Sequence, residues 1–294
     1  MRGYLVTNHF LNSEKFSEIT RYLMASAERF EIELYHITNA ELISKLPADS
    51  KAYAEYFAKE SISFVLFWDK DIRLAKLIEK AGVRVFNSAD AIERCDDKSL
   101  CYISLINSNI PMPETVISPK TFFKVERYPE SFIKSLEEKL GYPMVVKERY
   151  GSFGAQVYLA KSSNELENII AQTSPSELIF QKFIRESFGR DYRLNVVGDR
   201  VVTAMERYND DDFRANLTNG GSMKPYTPTK EQEKLAISVC RALELDFAGV
   251  DILACDPPLL CEVNSNAHFV NIYNCTGVNV ADHIMEYINR KVGK

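Results

Sequence analysis

The run "ISFVLFW" (residues 62–68) constrains the fold more than any other stretch. From Phe64 onward it is apolar without alternation. That is the pattern of a strand buried on both faces in a parallel sheet, with helices on each side. The flanking segments supply such a sheet. "GYLVT" and "IELYHI" read as strands, and "SEKFSEITRYLMASAERF" between them has an apolar stripe at helical spacing, with Ser13 as a candidate N-cap. "DIRLAKLIEKAG" predicts a helix ending on Gly82, and "VRVFN" a further strand. Residues 1–95 are therefore expected to form an open α/β unit. No G-x-G-x-x-G follows the first strand, which argues against a dinucleotide site there.

A helix, "DKSLCYISLINSN", and a proline-containing link, "IPMPETVIS", come next, and from about residue 130 the pattern becomes mixed α+β. "PMVVKE" and "QVYLA" read as strands around a glycine-containing loop, and "ELIFQKFI" as another. "YRLNVVGDRVVTAMERY" predicts a hairpin turning at Gly198–Asp199. "TKEQEKLAISVCRALE" predicts an amphipathic helix capped by Thr229. "FAGVDILA" and "LLCEVN", split by "CDPP", are expected to pair as a hairpin, and "NVADHIMEYINRK" reads as a helix.

The formal net charge of −5 disfavours a nucleic-acid partner. No apolar run reaches membrane-spanning length, so no membrane partner is expected. The stretch "MRGYLVTNHF" lacks the apolar core of a secretory signal. The six cysteines show no paired metal spacing. A reducing cytoplasm is the expected location.

Three stretches carry candidate chemistry. If the last two strands pair antiparallel, Asp251 and Glu262 share a face, and period 2 along "LLCEVN" puts Leu260, Glu262 and Asn264 together and Cys261 and Val263 opposite. Two close carboxylates repel unless a cation lies between them, and hard oxygen donors on a rigid sheet suit magnesium. A turn cap at Asp251 beside a solvated Glu262 is the alternative. In "PMVVKERYGSFGAQVYLA", Lys147 follows an apolar strand, and Gly151, Ser152 and Gly154 let backbone N–H groups approach an anion. An ordinary hairpin turn is the alternative. In "ELIFQKFI…GRDYRLNVV", the strand end at Lys182–Phe183 can present backbone groups to an adenine edge, and Asp191 can accept from a ribose hydroxyl. Arg193 shares the parity of Asp191, so a surface ion pair is equally open. The polar loop "ERYNDDDFRANLTNGG" brings Arg207, Arg214 and Asn216 as donors for phosphate.

The order "DFRANLTNGG", "AGVDIL", "EVN" resembles the ATP-grasp superfamily, and within it the RimK-like α-L-glutamate ligases, over roughly residues 90–290. "DKSLCYISLINSNIPMPET" looks like the family's lysine-bearing helix, and "VVKERYGSFGAQVYLA" like its lid hairpin. The resemblance implies an ATP-grasp fold. An N-terminal open, Rossmann-like α/β domain (1–95) would precede a linker helix with a small lid domain (96–185) and a C-terminal mixed-sheet domain with the metal site (186–294). It further implies that Lys98, Lys147, Gly151 and Ser152 meet ATP phosphates, that the Lys182–Phe183 backbone binds adenine and Asp191 the ribose, and that Arg214 and Asn216 hold the γ-phosphate. Asp251, Glu262 and Asn264 would bind two magnesium ions, or manganese in their place. Two departures stand out. The hinge reads Gln181–Lys182 where the family usually has Gln-Glu, and "SNAHF" follows "EVN" where Ala-Ser-Pro-Gly is common.

The implied reaction is ATP-dependent amide bond formation through an acyl phosphate, with Lys147 and Arg214 as catalytic residues. An amino acid such as glutamate would be joined to a small-molecule or peptide partner. Arg193 and Arg207 suit a substrate carboxylate because a guanidinium grips one bidentately. Asn266, His268 and Asn271 are expected to border the acceptor, although His268 also reads as a hydrogen-bonded loop histidine. A kinase acting on a hydroxyl and a non-catalytic ATP-binding module are the alternative functions. A homo-oligomer is compatible with the sequence.

Overall fold

The computed structural model describes residues 1–11, 13–151 and 154–293. The first unit alternates strand and helix: β1 (Arg2–Thr7), α1 (Glu14–Arg29), β2 (Glu33–Thr38), α2 (Asn39–Lys45), α3 (Tyr53–Lys59), β3 (Phe64–Trp68), α4 (Ile72–Lys80), β4 (Arg84–Phe86) and α5 (Ala89–Asp96). Its strands are parallel in the order β2-β1-β3-β4. Phe64 to Phe67 are wholly buried, as the unbroken apolar run requires. Ser13 sits at the N-cap of α1 with extended backbone, but its hydroxyl makes no capping bond. The sequence reading left out α2 and α3, one turn or two each, where a full apolar stripe cannot develop.

The helix α6 (Lys98–Leu105) leads to β5 (Thr115–Ile117), α7 (Glu130–Leu140), β6 (Met144–Glu148), β7 (Val157–Ala160), α8 (Ser163–Thr173) and β8 (Leu178–Lys182). These strands form an antiparallel sheet in the order β5-β8-β6-β7. The expected link around Pro111 and Pro113 thus ends in a short strand, because the prolines precede it rather than interrupt its ladder.

The last sheet comprises β9 (Arg190–Val197), β10 (Arg200–Tyr208), β11 (Ser222–Pro225), β12 (Phe247–Leu253) and β13 (Leu259–Asn264), in the order β11-β10-β9-β12-β13. The β9–β10 hairpin turns at Gly198–Asp199, where Gly198 takes φ +63°. Helix α9 (Lys230–Ala242) opens with a reciprocal capping box between Thr229 and Gln232 and covers one face. Helices α10 (Val270–Thr276) and α11 (Val280–Val292) pack on the other, together with the N-terminal sheet.

That shared core fixes the N-terminal sheet against the C-terminal one. Leu5, Phe64, Leu66 and Phe86 meet Phe247, Phe269 and Ile284 in one apolar cluster. Trp68 stacks on Phe247 with centroids 5.6 Å apart. Asn87 is fully buried and fully used. Its amide donates to the carbonyls of Phe247 (2.9 Å) and Ser265 (3.0 Å), and its oxygen accepts from the N–H groups of Asp246 (2.7 Å) and Phe247 (3.2 Å). A side chain that satisfies four backbone groups across a domain contact fixes where β12 begins and where the chain leaves β13.

Candidate active site

The face of the last sheet opposite α9 carries its charge. Register sets Arg193 on β9 beside Asp251 on β12, and Asp251 beside Glu262 on β13. Arg193 donates from Nε and Nη2 to Asp251 at 2.7 and 2.6 Å. Arg207 on β10 donates both bonds of its own fork to Asp191 at 2.7 Å, and its Nη2 lies 3.0 Å from Asp251 Oδ2. Arg207 is 4% exposed and Asp251 2%. The ladder is therefore a desolvated charge network, not a surface pair. Burial alone would lift the Asp251 carboxyl, but Arg193 and Arg207 outweigh it and hold it below the usual range. Asp191 moves the other way, raised by burial against the pull of Arg207. The two arginines expected to grip a substrate carboxylate are thus already matched to carboxylates of the chain itself.

On β13 the expected alternation does not hold. Asp251 faces Glu262, but the next pair is Ile252 with Leu260, so Cys261 is an extra residue in the strand. At such a bulge two neighbouring residues oppose one on the partner and the phase shifts. Leu260 and Val263 both enter the apolar core against α9, while Cys261 and Glu262 both line the cleft. Asp251 and Glu262 do share a face, as the hairpin pairing requires.

Lys98 and Lys147 converge on this strand. Lys98 opens α6, and its Nζ lies 3.6 Å from Glu262 Oε1 and donates to the Gly151 carbonyl at 3.1 Å. Lys147 is buried, and its Nζ stands 3.5 Å from the Cys261 carbonyl. Gly151 takes φ +150°, and a Cβ there would lie 2.5 Å from Gln156 Oε1. Ser152 lies outside the described residues. Arg214 is held within the polar loop by Asp212 (2.8 Å) and ties that loop to the β6–β7 hairpin by donating to the carbonyls of Gly154 (3.0 Å) and Val157 (3.3 Å). The sequence reading missed Asp97 and Arg149. Asp97 caps α6 through the N–H groups of Ser99 and Leu100, and Arg149 bonds to Asp97 and Glu177. An aspartate directly before a predicted helix was the available signal.

At the hinge, the Lys182 N–H bonds to the Glu114 carbonyl at 2.9 Å, and its exposed amine lies 3.3 Å from the Glu114 carboxylate. Lys182, Phe183, Asp191, Arg214 and Cys261 line a cavity of about 100 Å³ between the two antiparallel sheets. A second cavity of about 940 Å³ lies between the N-terminal unit and the last sheet. Asn8, Lys15, Trp68, Asp69, Arg193, Asn264, Asn266 and His268 are in its wall. Arg207, Asn216 and Glu262 line both cavities and stand where they meet.

The donors at that junction fit a hard divalent cation. A carboxylate offers about four lone-pair sites. Arg193 and Arg207 take two on Asp251 Oδ2 and one on Oδ1, which leaves one toward a metal. Glu262 keeps more, with Lys98 Nζ 3.6 Å from Oε1. Asn264 lines the larger cavity, where its amide oxygen is the atom a hard cation would take.

Asp69 was also missed. It follows β3, and Asn8 follows β1. Ligand sites of open α/β sheets lie at the carboxyl ends of the strands where the order reverses, and here that is between β1 and β3. Asn8 Nδ2 donates to Asp69 Oδ1 at 3.0 Å, and Asn266 Nδ2 to the Asp69 carbonyl at 2.8 Å.

A family model described as the RimK-like ATP-grasp domain matches residues 95–288. An uncharacterized Mycoplasma pneumoniae protein is 35% identical over 230 residues, covering 76% of this chain and 79% of that protein. The human N-acetylaspartylglutamate synthase A is 33% identical, covering 77% of this chain and 59% of the synthase. A probable alpha-L-glutamate ligase of Parasynechococcus marenigrum is 35% identical, covering 75% and 46% respectively. The chain thus spans about half the length of these two relatives with named activities. Among solved structures, a RimK domain ATP-grasp protein from Sphaerobacter thermophilus superposes with TM-score 0.72 at 20% identity, covering 98% of this chain and 99% of that one. D-alanine–D-alanine ligase from Bacillus anthracis, complexed with ATP, gives 0.72 at 17% identity, covering 99% and 96%.

Proposed function

The chain belongs to the RimK-like ATP-grasp family, and from that membership we propose that it is an ATP-dependent carboxylate–amine ligase joining glutamate to a small-molecule or peptide partner through an acyl phosphate. The observation that carries this reading is the meeting of two cavities at Arg207, Asn216 and Glu262. A nucleotide in the smaller one would present its terminal phosphate to a substrate in the larger.

In this reading adenine rests on the Lys182–Phe183 backbone, and the lone pairs of Asp191 not used by Arg207 accept from ribose. The hinge position usually held by glutamate carries Lys182, whose amine turns to Glu114. Adenine recognition there falls to backbone groups. Lys98 and Lys147 neutralise the phosphate oxygens. Gly151 would meet the same oxygens, with Ser152 assigned there by family resemblance alone, and Arg214 and Asn216 hold the γ-phosphate and then the acyl phosphate. Asp251, Glu262 and Asn264 would hold two magnesium ions, or manganese in their place, which supply positive charge to the triphosphate. A substrate carboxylate oxygen attacks the γ-phosphorus and ADP leaves. The amine then attacks the acyl carbon, phosphate leaves and the amine loses a proton. No protein nucleophile is needed. The lid hairpin, tied to the loop by Arg214, keeps water from the acyl phosphate.

We assign the chain to the cytoplasm on its free cysteines. The test is a pairwise screen of acids and amino acids with ATP, reading ADP and product mass. The proposal expects ADP release that needs both partners and a product one water lighter than their sum. ADP release without an amine, with a phosphorylated hydroxyl as product, would make the chain a kinase instead.

A further inference from the structure

The larger cavity is lined by cations that the nucleotide chemistry does not use, Lys15 among them. Helix α1 starts there, and its second residue is Lys15. A cation in the first helical turn opposes the helix dipole, so the helix itself does not favour a lysine at that place. Arg193 on β9 lines the same cavity. The His268 ring lies 3.3 Å from the Lys15 carbonyl through Nε2. A carbonyl only accepts, so Nε2 carries the proton and Nδ1 is left as a lone pair, buried with no donor. Burial and the positive charges of Lys15 and Arg193 keep this imidazole uncharged, pushed down to about 4. Burial and Arg193 also lower the Lys15 ammonium. The helix N-terminus, an ammonium and a guanidinium therefore share one partly desolvated wall.

We infer that Lys15 is a specificity-determining residue that binds a carboxylate of the amino-acid or acid substrate at the α1 N-terminus, while Arg193, whose fork is matched to Asp251, lines the same cavity without gripping it. This deepens the ligase reading and rests on it for the substrate class. Lys15 lies outside residues 95–288, so the subsite comes from a part of the chain that the family model does not span. An anion at this wall would lie between the two units that the shared core holds together.

The chain's single tryptophan, Trp68, lines the same cavity and reports its occupancy without turnover. Its emission is titrated with L-glutamate, L-aspartate, citrate and succinate, and with L-glutamine as the neutral isostere, in wild type, Lys15→Met and Lys15→Arg. ATP affinity is measured by calorimetry in parallel. At least one carboxylate should bind saturably. Lys15→Met should weaken it roughly ten- to hundredfold, the range for a lost charge-assisted bond. Lys15→Arg should recover part of the loss, and ATP affinity should stay within about twofold. A merely structural role would lower ATP and carboxylate binding together and leave the preference for glutamate over glutamine unchanged. That result, or carboxylate binding within twofold of wild type in Lys15→Met, or no carboxylate binding at all, overturns the assignment. Carboxylate binding that depends on Lys15 without any ligation product would retain the subsite and refute the ligase reading.

Discussion

Arg207→Met tests whether the buried charge ladder is held by its central cation. Methionine fills much of the same length without charge. Asp191 then loses both of its guanidinium bonds, while Asp251 keeps Arg193. Removing one member of a buried ion network costs about 3–5 kcal/mol, because a carboxylate stays desolvated without its partner. At roughly 2–4 °C per kcal/mol for a chain of this size, the melting temperature should fall by roughly 6–20 °C. The deficit should depend on pH in a defined direction. Burial already raises the Asp191 carboxyl, and without Arg207 it rises further. A group whose folded value lies above its unfolded one contributes stability below the unfolded value and loses it as pH rises through the folded one. The deficit should therefore be smaller at pH 5 than at pH 8. Adding Asp191→Asn should restore part of the loss, since the two side chains form one unit. Urea denaturation at both pH values reads all three effects. A loss under about 1 kcal/mol that does not change with pH would refute the reasoning.

Glu262→Gln and Asp251→Asn should each lower turnover by about 10²-fold with little change in melting temperature for Glu262→Gln, read as ADP release across a magnesium series. Activity near wild type at limiting magnesium would remove these residues from the metal shelf. Gly151→Val places a β-branched side chain at φ +150° against Gln156, so the apparent KM for ATP should rise several-fold, measured beside a melting curve. A fall in melting temperature with unchanged ATP binding would make Gly151 a turn residue only. The His268 imidazole, held down to about 4 by burial and by Lys15, should show no ionisation between pH 5 and 8 in an NMR titration. Its folded value lies below the unfolded one, so its contribution favours folding at neutral pH and is lost as pH falls through the unfolded value. A midpoint near 6.5 would place the ring in solvent.

The strands were legible in the sequence wherever burial was one-sided or complete. The unbroken run at Phe64–Phe67 and the turn at Gly198–Asp199 each dictate a local structure that tertiary packing has no reason to change. The pairing of Asp251 with Glu262 followed from a short turn between two strands. The phase of β13 did not, because a bulge at Cys261 leaves no mark in the residue pattern. The partners of the arginines were not legible for a different reason. Parity placed Arg193 and Arg207 on the site face, but only strand register reveals that each faces an aspartate across a neighbouring strand. The N-terminal wall with Lys15, Asn8 and Asp69 was invisible because it depends on how two distant units dock. That docking is set by Asn87 and by the apolar cluster around Phe247.

The central claim is that a substrate carboxylate is activated as an acyl phosphate at the junction of the two cavities. Hydroxylamine, supplied in place of the amine with ATP, magnesium and a panel of carboxylic acids that includes glutamate, measures this directly. The account predicts that at least one acid gives a hydroxamate in step with ADP, and that Glu262→Gln loses both signals together. ADP formation with every acid tested but no hydroxamate would contradict it.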